Sequence, residues 1–196
     1  MPAGAIVLLH ACCHNPTGVD LSAAQWEKVI TVVNQRQLVP FLDIAYQGFA
    51  EGLEADAATI RRFTSECPAV FVSSSFSKSL SLYGERVGAL SIATASADEA
   101  ARVLSQMKRV VRTNYSNPPT HGGQIVSTVL CSPELRALWE AELATMRNRI
   151  KLMRAELVEQ GRRHRHRGRR HQDPIVRRIR RPALEAVAVA QQDVTD

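Results

Sequence analysis

The chain has 196 residues, of which 45% are hydrophobic, and a formal net charge of +6 at pH 7. This length and composition are ordinary for a globular protein with a substantial core. Its apolar runs fall well short of the roughly 18 to 20 residues that a membrane-spanning helix needs. Because no basic leader precedes the first apolar run at Ala5, we expect a cytoplasmic protein with no membrane partner.

The positive charge is concentrated at the end of the chain. Residues 162–196 contain ten arginines, no lysine and four acidic residues, a net charge of +6, whereas residues 1–161 sum to zero. Dense like charge without a sustained apolar period predicts disorder in residues 162–196. Such arginines bind phosphates nonspecifically, but no aromatic platform or metal site accompanies them, so we expect no specific nucleic-acid partner.

The cysteines predict no metal site. Cys12, Cys13, Cys67 and Cys131 have neither the spacing of metal ligands nor the pattern of a secreted disulfide framework,. We therefore predict buried thiols.

The first part of the chain alternates between strand-like and helix-like segments. Continuous apolar runs predict strands at 5–10, 38–42, 69–73 and 87–92,. Helices are predicted after a cap at Asp20 or Ser22, with Trp26, Val29, Ile30 and Val33 at helical spacing, and at 55–65,. This alternation predicts an α/β domain with a mostly parallel sheet and flanking helices.

From residue 97 onward the pattern is helical. Helices are predicted at 97–111 and 120–130, and a long helix from Pro133 to about Glu159. Ser132 is a suitable cap for the long helix, and Pro133 occupies its first position, where proline is favoured.

Polar motifs follow three of the strand-like runs. They are His14-Asn15-Pro16-Thr17-Gly18, Asp43-Ile44-Ala45-Tyr46-Gln47-Gly48-Phe49, and Ser75-Phe76-Ser77-Lys78 with Tyr83-Gly84-Glu85-Arg86-Val87-Gly88 after it. A lysine in a tight, partly desolvated turn loses its proton more readily and forms a Schiff base with a carbonyl group. Since ligands gather at strand ends in α/β folds, the motifs predict one site.

From about Gly4 to Gly161, these motifs resemble class I aminotransferases of the aspartate and aromatic amino acid group, which depend on pyridoxal 5'-phosphate (PLP). The resemblance implies part of the large domain of the fold-type I PLP-dependent transferase fold. It also implies transfer of an amino group between an amino acid and a 2-oxo acid through a PLP Schiff base. A homodimer is expected from the family.

The resemblance also implies roles for four residues around the ring of the cofactor. Lys78 would form the Schiff base and then carry the proton at the substrate Cα. Asp43 would face the pyridine nitrogen and keep it protonated, so that the ring withdraws electrons. Tyr46 and Asn15 would donate to the phenolic oxygen of PLP and so lower the proton affinity of the imine, with Asn15 also near the substrate. The Asn15-Pro16 peptide is commonly cis in the family.

Four further residues match family positions that bind anions. Arg86, Ser75 and, as a weaker candidate, Ser77 would bind the cofactor phosphate, because a guanidinium and hydroxyls suit a dianion. Arg112 matches an arginine that reaches into the neighbouring subunit and binds the distal carboxylate of a dicarboxylate substrate. Arg112 favours aspartate and glutamate, whereas Tyr115 and the surroundings of Cys12 and Cys13 look more like the aromatic branch, and both substrate types stay open.

The resemblance implies three segments. Residues 1–131 correspond to a partial PLP-binding large domain, residues 132–161 to a long helix leading to the small domain, and residues 162–196 to an arginine-rich tail outside the family pattern. Family members are about twice as long, so a fragment with low or no activity alone is expected. The alternatives are another PLP-dependent reaction, such as decarboxylation or elimination, and a noncatalytic fragment with nonspecific nucleic-acid affinity.

Overall fold

A computed structural model describes residues 1–167, with side chains through residue 163. The elements are β1 (Ile6–His10), α1 (Ala23–Gln35), β2 (Val39–Ile44), α2 (Leu53–Asp56), α3 (Ala58–Glu66), β3 (Val70–Ser75), β4 (Gly88–Ala93), α4 (Ala97–Asn114), α5 (His121–Cys131) and α6 (Pro133–Arg167). The chain divides into two units, Met1–Asn148 and Arg149–Asp196. Over the described range, all strands belong to the first unit and the second is helical. None of the described helices is long and apolar enough to cross a membrane.

The sheet confirms the predicted mostly parallel α/β class. Its strand order is β1-β2-β3-β4, with β1, β2 and β3 parallel and β4 antiparallel to β3. The register aligns two rows of residues across the four strands, Leu8-Phe41-Phe71-Ile92 and His10-Asp43-Ser73-Leu90. Because residues two apart in a strand point to the same face, both rows lie on one face of the sheet. That face therefore carries Asp43.

Helices α1 and α3 supply the core on the other face. The buried core residues are Trp26, Ile30 and Val33 of α1, Phe63 of α3, and Leu42, Ile44, Val70 and Val72 of the sheet, together with Ala11, Cys12 and Cys67. The rings of Trp26 and Phe63 meet edge to face, with centroids 5.9 Å apart. Complete burial of one such apolar side chain stabilises the fold by about 1.5 to 3 kcal/mol.

Two residues distinguish the observed helices from the predicted ones. Ser22, not Asp20, caps α1, and Gln25 completes a capping box with it. The helix predicted at 55–65 is divided at Ala57 into α2 and α3. The division occurs where Asp56 points into the protein and accepts backbone hydrogen bonds from the preceding loop.

Helices α4 and α6 are longer than predicted, whereas α5 has the predicted length. Helix α4 starts after its Ser96 cap and buries none of its residues within the described part of the chain. Helix α6 begins at Pro133 as predicted, and the Ser132 hydroxyl accepts a hydrogen bond from the Leu135 N–H.

Helix α6 continues beyond Gly161 to Arg167, so residues 162–167, for which disorder was predicted, are helical. Propagation adds one hydrogen bond for each residue fixed and does not repeat the cost of nucleation, and arginine is a good helix former. The Arg163 guanidinium also donates to Glu159 one turn earlier, at 3.1 Å. The remaining part of the predicted tail, 168–196, lies outside the described residues.

Candidate active site

A cavity of about 160 Å³ opens at the carboxyl ends of the parallel strands. Its lining residues are His10, Cys12, Cys13, Asn15, Asp43, Ala45, Tyr46 and Lys78. They come from the ends of β1 and β2 and from the segments that follow β1, β2 and β3. Five of them belong to the three polar motifs of the sequence, whereas His10, Cys12 and Cys13 precede the first motif. Lys78 and Asp43, on which the sequence interpretation depends, thus border the same space.

Lys78 lies beside the ring of Tyr46. The Lys78 Nζ is 4.9 Å from the Tyr46 ring centroid, within the distance at which an ammonium interacts favourably with an aromatic face. The lysine is half-buried, in a turn where Ser81 N–H donates to its carbonyl oxygen at 3.2 Å. The amine is therefore held in the cavity next to a phenol.

Asp43 is oriented by a residue that the sequence analysis did not select. The hydroxyl of Ser73 donates to Asp43 Oδ1 at 2.7 Å, and both side chains are partly buried. The two residues are direct partners in the β2-β3 register, so their side chains project from the same face. Pairing the predicted strands β2 and β3 would have placed Ser73 opposite Asp43. Ser73 and Ser75 point to the same face of β3, but the motif contains only Ser75.

Asn15 is placed by a turn after β1. The Asn15-Pro16 peptide bond is cis, as the family resemblance implied. The Asn15 N–H donates to His10 Nδ1 at 3.3 Å. Earlier in the turn, the Asp20 carboxylate accepts from the N–H groups of Cys13 and His14, each at 2.8 Å. Asp20 thus fixes the turn instead of capping the helix.

The residues predicted to bind a phosphate do not line the cavity. Ser77 is buried and Ser75 half-buried, and the Ser75 Oγ accepts from the Ser77 N–H at 3.3 Å. Arg86 is exposed, has a left-handed backbone (φ 52°), and donates from Nη1 to the Tyr83 carbonyl oxygen at 2.9 Å. All three lie on the segments flanking Lys78 along the chain, so their role in binding phosphate stays a prediction.

Arg112 is likewise separate from the cavity lining. It is exposed in the last turn of α4, and its guanidinium donates to the Ser116 hydroxyl. A cation near a helix C-terminus also interacts favourably with the helix dipole. The structure therefore gives Arg112 a local contact in its own chain but no contact with the cavity.

The loop that follows Tyr46 is fixed by one buried carboxylate. Asp56, 5% exposed, accepts hydrogen bonds from the N–H groups of Gly48, Ala50, Glu51 and Gly52, at 2.8 to 3.3 Å. Hydrogen bonds to a charged acceptor are stronger than neutral ones. Asp56 therefore determines the path of the chain directly after Tyr46, although it is not among the residues that line the cavity.

Three residues on one face of α6 contact the two segments that carry Tyr46 and Lys78. Trp139 Nε1 donates to the Ser79 carbonyl oxygen at 2.6 Å, and Arg147 donates to the Gly48 carbonyl oxygen at 2.9 Å. Between them, Leu143 packs against Gly48 and is 1% exposed. These three residues are spaced four apart and so lie on one face of the helix.

An α/β sheet with a lysine and a carboxylate at the ends of parallel strands defines the class of site found in enzymes that bind a carbonyl-bearing cofactor. The chain belongs to the aminotransferase class I and II family, whose sequence model matches residues 1–165. The match thus extends slightly beyond Gly161, where the resemblance was expected to end.

The relatives and solved structures agree with this membership. The chain is 67% identical over 160 residues to the aspartate aminotransferase of Pseudomonas aeruginosa, covering 82% of this chain and 40% of the relative. It is 55% identical over 159 residues to the aromatic-amino-acid aminotransferase of Escherichia coli, covering 81% and 40%. The structure of the aromatic-amino-acid aminotransferase of Burkholderia pseudomallei, covalently bound to pyridoxal phosphate, matches with a TM-score of 0.79 and 72% identity, covering 81% of this chain and 40% of that chain. The chain spans about 40% of the length of these relatives.

Proposed function

We propose that this chain carries the cofactor-binding part of a PLP-dependent aminotransferase of the aspartate and aromatic amino acid type. The observation that carries the proposal is the meeting of Lys78, Asp43, Tyr46 and Asn15 at one cavity. The reaction is the transfer of an amino group between an amino acid and a 2-oxo acid. Relatives with 67% and 55% identity are named for aspartate and for aromatic amino acids, respectively.

The chemistry of the lining groups fits PLP. An amine (Lys78) suits the cofactor's aldehyde, a carboxylate (Asp43) its pyridine nitrogen, and hydrogen-bond donors (Tyr46, Asn15) its phenolic oxygen. When bound, PLP supplies an electron-withdrawing ring that stabilises negative charge at the substrate Cα. Ser73 holds the Asp43 carboxylate in place at 2.7 Å, and the Lys78 amine binds the cofactor and moves the proton at the substrate Cα.

Replacing Lys78 by alanine is expected to abolish covalent labelling by PLP. The chain is incubated with PLP, reduced with borohydride, digested and analysed by mass spectrometry. We expect one phosphopyridoxyl group per chain, on Lys78, because this lysine is half-buried in the cavity beside Asp43 and Tyr46, whose side chains suit the ring of the cofactor,. Lys28→Ala is the matched control, since Lys28 is exposed on α1. Labelling that spreads equally over exposed lysines, or that persists on the Lys78→Ala chain at the same level, would refute the proposal.

We also propose that Arg112 binds the distal carboxylate of a dicarboxylate substrate in the neighbouring subunit of a cytoplasmic homodimer. Arg112 is exposed and does not line the cavity of its own chain, which supports a role in another subunit. A guanidinium binds a carboxylate through two parallel hydrogen bonds. A dimer is thus required for this part of the site.

Arg112→Leu is expected to weaken binding of succinate, a dicarboxylate, by about 10- to 100-fold, since a hydrogen bond to a charged group contributes about 1.5 to 3 kcal/mol. Binding of 3-phenylpropionate, which has one carboxylate, should change less than about twofold. Calorimetry with the PLP-loaded protein measures both, and sedimentation gives the oligomeric state. Arg109→Leu, an exposed arginine on the same helix, is the control. Equal loss for the two ligands, or a monomer that still discriminates between them, would disprove the role.

A further inference from the structure

Two adjacent thiols line the cavity and are not used by the proposed function. Cys12 is 7% exposed and Cys13 is half-buried, and both border the same space as Lys78. The four cysteines form no disulfide, and Cys67 is buried as predicted, whereas Cys131 is exposed, contrary to the prediction. Cys12 and Cys13 therefore form a vicinal pair at a site where a small molecule has access.

Consecutive side chains of an extended strand point to opposite faces, so two neighbouring residues do not ordinarily share a cavity. Cys13 has a left-handed backbone, φ 51°, which departs from the strand immediately after β1. The Cys13 N–H is fixed to the Asp20 carboxylate at 2.8 Å. The conformation that places both thiols on the cavity is thus held by a hydrogen bond to the backbone.

The two thiols also contact each other. The hydrogen bond that the Cys12 thiol donates to Cys13, followed by burial, raises the pKa of Cys12. The half-buried Cys13 is consequently the thiol that reacts first with an incoming electrophile, and Cys12 is adjacent for the second bond. A dithiol held in this way acts as a chelate, because the second bond forms within one molecule at a high effective concentration.

We propose that Cys12 and Cys13 together form a binding site for monosubstituted trivalent arsenicals, and that occupation of this site closes the cavity beside Lys78. Soft thiolate ligands select soft acceptor atoms. Within the described residues, no cluster of three metal-ligating side chains exists, but an arsenic atom that already carries one carbon needs only two sulfur ligands.

The chemistry requires no oxidant. Each thiol replaces one hydroxyl group of the hydrated arsenical R–As(OH)₂. Two arsenic–oxygen bonds break, two arsenic–sulfur bonds form, the two thiol protons leave with the hydroxyl groups as two water molecules, and arsenic stays trivalent. The product is a ring that contains both sulfur atoms and the arsenic, with its organic group directed into the cavity.

The test uses phenylarsine oxide at equimolar concentration with the native chain, in excess glutathione, followed by intact-mass measurement. We expect one phenylarsenic group per chain that resists the monothiol and is removed by dithiothreitol. Cys13→Ser and the apolar Cys12→Ala should each lower retention at least about tenfold, since a single arsenic–sulfur bond loses the chelate advantage. Cys67→Ser and Cys131→Ser are the controls and should retain the adduct.

Three outcomes would overturn the site. They are retention in the Cys13→Ser chain, exchange of the adduct by glutathione alone, and reaction only after unfolding in urea, where any adjacent cysteines meet. Circular dichroism of each variant identifies loss of fold. Cys13→Ser should disturb the fold less than Cys12→Ala, because Cys13 is half-buried whereas Cys12 is 7% exposed.

The closing of the cavity rests on the proposed function and is measured separately. Saturation with phenylarsine oxide should lower reductive PLP labelling of Lys78 at least about tenfold in the native chain, and leave it unchanged in Cys13→Ser, which lacks the chelate. Unchanged labelling of a fully adducted native chain would disprove the shared cavity. Absence of Lys78 labelling without any arsenical would instead count against the proposed function, and the mass measurement would still decide the dithiol site.

Discussion

Replacing Asp56 by alanine is expected to lower the free energy of unfolding by about 3 to 5 kcal/mol, among the largest effects of a single substitution. The 5%-exposed carboxylate accepts from four backbone N–H groups between Gly48 and Gly52. Alanine leaves these donors without their acceptor, and each hydrogen bond to a charged group contributes about 1.5 to 3 kcal/mol. The total stays below the sum of four bonds because a relaxed loop regains contacts with water.

Urea unfolding monitored by tryptophan fluorescence measures this change, since Trp26 is in the core. The control is Glu54→Ala, which removes an exposed acid that pairs with Arg61 at 2.6 Å and should change stability by less than about 1 kcal/mol. Asp56→Asn keeps one acceptor oxygen and should fall between the two. If Asp56→Ala and Glu54→Ala destabilise the chain equally, the loop is not held by this carboxylate.

The effect should extend to the site. The tethered loop begins two residues after Tyr46, and Tyr46 lies against Lys78. In the Asp56→Asn chain, under conditions where it remains folded, PLP labelling of Lys78 should therefore decrease although no lining residue has changed. An Asp56→Asn chain that labels normally would limit the role of Asp56 to stability.

The sheet and the members of the site were accessible from the sequence for a physical reason. Apolar runs that end in polar motifs identify buried parallel strands, and the carboxyl ends of such strands meet at one edge. This argument groups the three motifs, and the family resemblance selects Asp43, Tyr46, Asn15 and Lys78 within them. The structure places all four at the cavity.

The supporting interactions were not accessible in the same way, because they connect residues distant along the chain. Ser73 contacts Asp43 across 30 positions, and Arg147 reaches Gly48 across 99. In the sequence, Asp56 resembles an ordinary helical residue. Its four backbone hydrogen bonds depend on how the loop at residues 48–52 folds back towards it. Pairing β2 with β3 would have identified Ser73, but no local pattern marks Asp56 or Arg147.

The helix boundaries show the same limit. Capping residues predicted the start of α6 at Ser132 and the start of α1 at either Asp20 or Ser22, of which the structure uses Ser22. The ends were less accessible, because a helix that has been nucleated continues through residues of fair propensity. Helix α6 accordingly passes Gly161.

Leu143→Ala is expected to cost about 2 to 5 kcal/mol, the range for removing a buried leucine side chain and leaving a cavity. Leu143 is 1% exposed, whereas Leu138 on the same helix is 60% exposed. Leu138→Ala is therefore the matched control, with the same chemical change and an expected effect below about 0.5 kcal/mol. Urea unfolding compares the two variants directly, and equal effects would contradict the packing of α6 on this face.

The expected loss of stability in Leu143→Ala lies near the upper end of this range because of the shape of Gly48, the residue against which Leu143 packs. Gly48 has a left-handed backbone at φ 94°, and a Cβ built on it would overlap the Leu143 side chain. The leucine thus fills a space left by a residue without a side chain, and Gly48 has no Cβ to occupy that space when the leucine is truncated. Gly48→Ala in the Leu143→Ala background tests this point. In the double variant the added methyl group no longer overlaps a leucine, but it should not restore stability, because the left-handed conformation still disfavours alanine. Full recovery of stability in the double variant would show that volume alone, and not the backbone of Gly48, determines how α6 packs against the loop that follows Tyr46.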